Sequence, residues 1–214
     1  MSLRTCYLLL LSLLTLATIS FPVGQRELFS LVNDAPAQPQ RLTVLGYERE
    51  EFGAGWSTGR SGCTTRDELL AQAYGAALCS SVTDAEAEFA SVVDPYTGEP
   101  LELADVEIDH VFPLSAAWDL GAHRWDAASR EEFANDPRNL IVTSRQANQS
   151  KSDQLPSQWL PPDPSYRCEY ITHLARVAAH YKLALPEADR QAMRKHCRVS
   201  LVGFLSERLP LQRQ

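Results

Sequence analysis

At 214 residues, with a formal net charge of −7 and 44% hydrophobic residues, the chain is long enough for one domain with its own core and too short for two independent ones. The acid excess excludes a general nucleic-acid-coating surface, which is basic as a rule. It does not exclude a protein that grips a single phosphate through a metal ion and a few local cations.

The chain opens on MSLR and then CYLLLLSLLTLATI, a basic start and an apolar run of about 14 residues, shorter than the roughly 20 of a membrane-spanning helix. Leu and Ile occur all round the run, with no polar face, so it reads as a secretory signal. Cys6 lies before the apolar core, which does not fit a lipoprotein. Ala35-Pro36-Ala37 offers an A-x-A cleavage signal, and an uncleaved membrane anchor is the alternative. Residues 21–45 are aperiodic and contain Pro and Gln, so they read as a tether. The expected organisation is therefore 1–37 as signal or anchor with tether, and 41–214 as the functional domain with a C-terminal helical extension.

Removing residues 1–37 leaves Cys63, Cys79, Cys168 and Cys197, an even count that favours two disulfides in an exported chain. Their order suggests Cys63 with Cys79 and Cys168 with Cys197, among three connectivities. One straight helix over 64–78 would hold its ends about 22 Å apart, whereas bridged Cα atoms need about 5.5 Å. The helix begun by TTRDELLAQA, with Thr64 as cap, must therefore stop near Tyr74-Gly75, with AALCSSV returning as a strand.

DPYTGEP at 94–100 reads as a β-turn, and LELADVEIDHVFPL as an extended segment. SREEFANDPRN is a helical turn broken by Asn-Asp-Pro. LIVTS is a short strand, and SRQANQSKSD a polar helix capped by Ser144. Apolar residues recur at helical spacing from Tyr166 to Leu183, and Pro186 can open a last helix containing MRKHCR. In a tight antiparallel pair of these helices, Cys197 would sit about 7 Å along the axis from Cys168.

Asp109 and His110 stand side by side in a run that is otherwise strand-like. Asn139 opens the next strand, and Asn148 and Lys151, three residues apart, share a face of the helix after it. Alternation sends Asp109 and His110 to opposite faces and pairs Asp109 with Glu107. Both can reach one site only if the strand twists, bulges or ends there, as Pro113 allows, and Glu107 is a rival ligand. His123, His173, His180 and His196 lack metal-ligand spacing and read as surface or structural. Trp56, Trp118, Trp125 and Trp159 read as packing, and the RKHCR run as a solvated helix face.

The order strand, strand, helix resembles the ββα-metal fold of the HNH (His-Me finger) endonucleases. The block VEIDHVFPLSAAWDLGAHRWDAASREEFANDPRNLIVTSRQANQSKSDQLPSQWLPP, with YEREEFGAGW, GCTTR, DPYTG and YRCEY, is similar to the secreted actinobacterial HNH family related to the C-terminal domain of GmrSD restriction enzymes, over about residues 46–185. Thr64 stands where that family carries an acid, and Asn148 is the last letter of HNH.

The resemblance implies an α+β fold: a ββα-metal core with additional helices and a short sheet, stapled by disulfides. It implies a secreted endonuclease that cuts DNA, with RNA as the alternative substrate, leaving 5′-phosphate and 3′-hydroxyl ends; a monomer is expected, with no stable protein partner. Asp109 and Asn148 would bind one divalent ion, magnesium or manganese rather than zinc for such hard oxygens. His110 would be the general base, Asn139 would hold its ring or the adjoining loop, and Lys151 would meet phosphate charge; Arg66 would add a two-point phosphate contact or, alternatively, pair with Asp67, Glu68 or another acid. A silent binding module and a disulfide-rich structural domain, in which Asp109 and His110 bond each other, are the alternatives.

Overall fold

The computed structural model describes residues 3–19, 23–75 and 92–197. Along the chain these form helices α1 (Leu3–Ile19) and α2 (Val23–Asp34), the short strand β1 (Ala37–Gln38), helix α3 (Thr65–Tyr74), strand β2 (Val106–His110), and helices α4 (Leu114–Leu120) and α5 (Ala127–Asn135). There follow strand β3 (Leu140–Ser144), helices α6 (Arg145–Lys151) and α7 (Arg167–Tyr181), the short strand β4 (Leu185–Pro186) and helix α8 (Glu187–His196). This is a mixed helix and small-sheet fold.

The apolar runs VEIDH and LIVTS pair antiparallel, with Val106 opposite Ser144 and His110 opposite Leu140. Helix α6 follows β3 without a loop, because Ser144 both ends the strand and caps the helix, its hydroxyl accepting from the Ala147 amide. The strand–strand–helix order expected from the sequence is present. Val106, Ile108 and Leu140 pack with Leu70 and Tyr74 of α3. The Glu107 and Asp109 side of β2 bonds to α6. The larger core gathers the apolar faces of α4, α5 and α7 around Phe112, Phe133, Tyr170 and Leu174.

Helix α3 starts and stops where its sequence dictates. Thr64 and Asp67 form a reciprocal capping box, and Gly75 ends the helix in the left-handed region, φ 67°, at little cost for a residue without Cβ. The AALCSSV strand and the Cys63–Cys79 pairing fall partly or wholly outside the described residues; Cys63 itself is disulfide-bonded. Cys168 and Cys197 are joined, their Cα atoms 5.0 Å apart. The bridge forms because Cys168 lies in the first turn of α7 while Cys197 ends α8. Closing that separation of 29 residues contributes about 3–4 kcal/mol on the chain-entropy argument.

The tether expected over 21–45 is corrected by α2. Leu28, Val32 and Ala35 are buried in the main core, and Glu27 forms a two-point ion pair with Arg176 of α7 at 2.7 and 2.9 Å. β1 pairs in parallel with β4, and Arg190 donates to the Ala35 carbonyl at 3.0 Å. Residues from Glu27 onward thus pack with the elements that follow 41, and Ala35-Pro36-Ala37 lies among them. Leu28, Leu31, Val32 and Ala35 recur at helical spacing, a stripe that the flanking prolines obscure. No helix among the described residues is long and apolar enough to cross a membrane.

Candidate active site

β2 ends at His110, and the chain then turns through Val111, Phe112 and Pro113 into α4. Asn139, fully buried, fastens this turn: its Oδ1 accepts from the Phe112 amide at 2.8 Å and its Nδ2 donates to the Phe112 carbonyl at 3.2 Å. These hydrogen bonds of Asn139 go to the loop after His110. Because the strand ends here, Asp109 and His110 both reach one open cavity of about 510 Å³, together with Asn148. The alternation that would separate them is resolved at the strand terminus.

The His110 ring is fixed from two sides. It stacks on Trp56, with centroids 5.9 Å apart and planes inclined by 7°. Its Nε2 lies 2.8 Å from the Ala134 carbonyl, which can only accept, so Nε2 carries the proton and Nδ1 the lone pair. Burial lowers the pKa to about 4, the Ala134 hydrogen bond opposing and the charges of Arg49 and Lys151 adding to the fall. The imidazole is therefore neutral at neutral pH and retains a basic nitrogen.

Asp109 is buried, and its carboxylate is held by Lys151 Nζ, 3.0 Å from Oδ1 and 2.9 Å from Oδ2. The Tyr96 hydroxyl donates to Oδ2 at 2.7 Å. Burial pushes the Asp109 carboxyl above its usual range, while the ammonium and the phenol pull it back. Lys151 is wholly buried and also donates to the His110 carbonyl at 2.8 Å. This corrects its expected role as a phosphate contact: the ammonium is committed inside, where it positions Asp109 and the end of β2.

Asn148 donates from Nδ2 to Glu107 Oε2 at 2.8 Å, which leaves Oδ1 as the atom a cation would take. Glu107 also pairs with Arg145 at 3.3 Å, so the rival ligand is occupied beside Asn148. Arg66, in the first turn of α3, lines neither cavity around His110. Thr64, at the position where an acid was expected, caps α3, a task Asp performs equally well. Among the described residues no group of three or more His, Cys, Asp and Glu side chains is placed to hold a metal ion.

Three of the remaining histidines are tied to structure, His123 to the Trp118 carbonyl, His173 to the Arg138 carbonyl and His180 to the Arg138 side chain, and His196 is exposed at the end of α8. Trp118, Trp125 and Trp159 pack on the main core. In the RKHCR run, Arg194 bonds Asn33 of α2. Three residues at the site escaped the sequence reading: Tyr96, which lies within the DPYTG turn; Trp56, which was read only as packing; and Arg49, which lines both the 510 Å³ cavity and its neighbour of about 260 Å³. The YEREEFGAGW block contained two of them.

A neutral, oriented imidazole beside a buried carboxylate, in a solvent cavity at a strand end, defines an α+β domain equipped for acid–base chemistry. The chain belongs to the family of GmrSD restriction endonucleases, C-terminal domain, whose model matches residues 68–196. A similar protein is an "Uncharacterized secreted protein" of Arthroderma benhamiae, 34% identical over 202 residues, covering 87% of this chain and 95% of that one. No solved structure matches. Family membership points to a nuclease-related function.

Proposed function

We propose that the chain is an exported, divalent-metal-dependent endonuclease of the ββα-metal (HNH) type, hydrolysing DNA phosphodiesters with His110 as general base. The observation that carries this reading is the His110 ring, anchored through Nε2 with its Nδ1 lone pair available, in one cavity with Asp109 and Asn148. Nδ1 takes the proton of the attacking water. Ala134 and Trp56 keep the ring from turning, so the lone pair is oriented before substrate arrives.

Asp109 and Asn148 fit a hard divalent cation. An ionised carboxylate offers about four acceptor positions, and the contacts from Lys151 and Tyr96 leave room for one more. One carboxylate and one amide oxygen suit magnesium or manganese, which keep several waters and take substrate phosphate as a further ligand. Such an ion supplies Lewis-acid stabilisation of the phosphoryl and leaving oxygens. Lys151 and Tyr96 hold the carboxylate in place, and Asn139 holds the loop behind it. Products with 5′-phosphate and 3′-hydroxyl ends accord with the family resemblance. The apolar run before Val23 and the printed name of the Arthroderma relative support export.

Incubation of supercoiled plasmid with the purified chain tests the reading. Nicking with magnesium or manganese that stops with chelator is expected, and parallel incubation with RNA separates the two substrates. Intact DNA and RNA under every metal condition would contradict it.

A further inference from the structure

The two cations assigned to phosphate by sequence do not reach the cavity around His110: Lys151 is committed inside the protein, and Arg66 lies off both walls. Beside the divalent ion of the proposed reading, this leaves no side-chain cation from that pair to meet the non-bridging oxygens of a phosphate at His110. The acids of the larger cavity, Asp109 and Asp153, already pair with Lys151 and Arg41. Arg49 alone among the arginines lines both cavities that meet at His110, and among the described residues its guanidinium makes no ion pair or side-chain hydrogen bond.

Arg49 is also presented from a firm base. It opens a single 3-10 turn, Arg49–Phe52, whose Phe52 is buried against Trp118 and Phe133. Arg130 of α5 clamps the same turn, donating to the Glu51 carbonyl and to its carboxylate, both at 2.8 Å. Gly53 ends the turn at φ 100° with Glu131 packed on it, so that an added Cβ would lie 3.0 Å from Glu131 Cγ. The backbone is held while the side chain stays exposed, an economical arrangement for capturing an anion.

We infer that Arg49 is the phosphate-contacting cation of this site, its planar fork gripping the non-bridging oxygens of the DNA phosphate next to His110. This rests on the nuclease reading, so binding and cleavage are measured separately. The binding probe is a short fluorescein-labelled DNA duplex in chelator, followed by anisotropy across a salt series with the full chain and with Arg49→Gln, Arg49→Lys and Arg66→Gln. Arg49→Gln should weaken binding about 10- to 100-fold and lower the salt slope by about one, with Arg49→Lys between and Arg66→Gln unchanged. Arg49→Gln should leave thermal stability as it is, since among the described residues the exposed side chain makes no ion pair or side-chain hydrogen bond. If the wild-type chain binds but cuts nothing, the nuclease reading fails while the binding comparison still decides Arg49. Equal binding and salt slope in wild type and Arg49→Gln, or no binding by the wild type, would overturn the inference.

Discussion

Removing the Lys151 ammonium would strand a buried carboxylate. Asp109 is 5% exposed and Lys151 not at all, so Lys151→Met should cost about 3–5 kcal/mol, the range for breaking a buried pair from one side. Tyr96→Phe, which removes one hydrogen bond to the same charged acceptor, should cost about 1.5–3 kcal/mol. Urea unfolding of both variants checks this; a Lys151→Met loss within about 0.5 kcal/mol, the size of an ordinary surface change, would contradict the buried role. The spacing of Asn148 and Lys151 correctly placed them on one helix face. It could not say which way that face turns, because RQANQSK has a single apolar residue, Ala147, and therefore no stripe.

Two elements carry sharper tests than their lengths suggest. The 94–99 turn is fastened to the end of β3 by Asp94, whose carboxylate accepts from the Thr143 hydroxyl and from the Ser144 amide and hydroxyl at 2.7, 3.1 and 2.6 Å. Burial pushes the Asp94 pKa up, but these hydrogen bonds and that of the Tyr96 amide outweigh it, and the net shift is downward. A carboxyl more acidic in the folded state than in the unfolded gives stability that is complete above the unfolded value, about 3.9, and is lost as pH falls through the lower folded value. Asp94→Asn should therefore cost about 1–3 kcal/mol at neutral pH and flatten the acid limb below about pH 4. Urea midpoints across that range decide it, and an unchanged acid limb would count against the clamp. Helix α2 is the second case. Because Leu28 is buried in the main core, Leu28→Ala should cost about 2–5 kcal/mol, and a chain starting at 38 should be far less stable than one starting at Val23; a tether predicts no difference. Its amphipathic stripe was present in the sequence, but Pro22 and Pro36 made the segment look like a linker.

At the level of the whole molecule, what could be read in advance was local: the Asp109-His110 pair, the Ser144 cap, the Gly75 stop and the short strands on either side of Pro113. These depend on neighbours within a few residues, where capping and alternation act. Arg49, Trp56 and Tyr96 reach the site from 54 to 61 and 14 residues upstream of His110, across turns whose placement depends on tertiary packing rather than periodicity. The chain carries an overall charge of −7, so under the proposed function its activity is expected to depend on the few groups that line the cavity at His110 rather than on a broad basic face. The most direct measurement is the single-turnover cleavage rate of His110→Ala at saturating magnesium, beside wild type of matched folded fraction. The imidazole account predicts a fall of about 100-fold or more, with plasmid binding retained; a rate equal to wild type would contradict it.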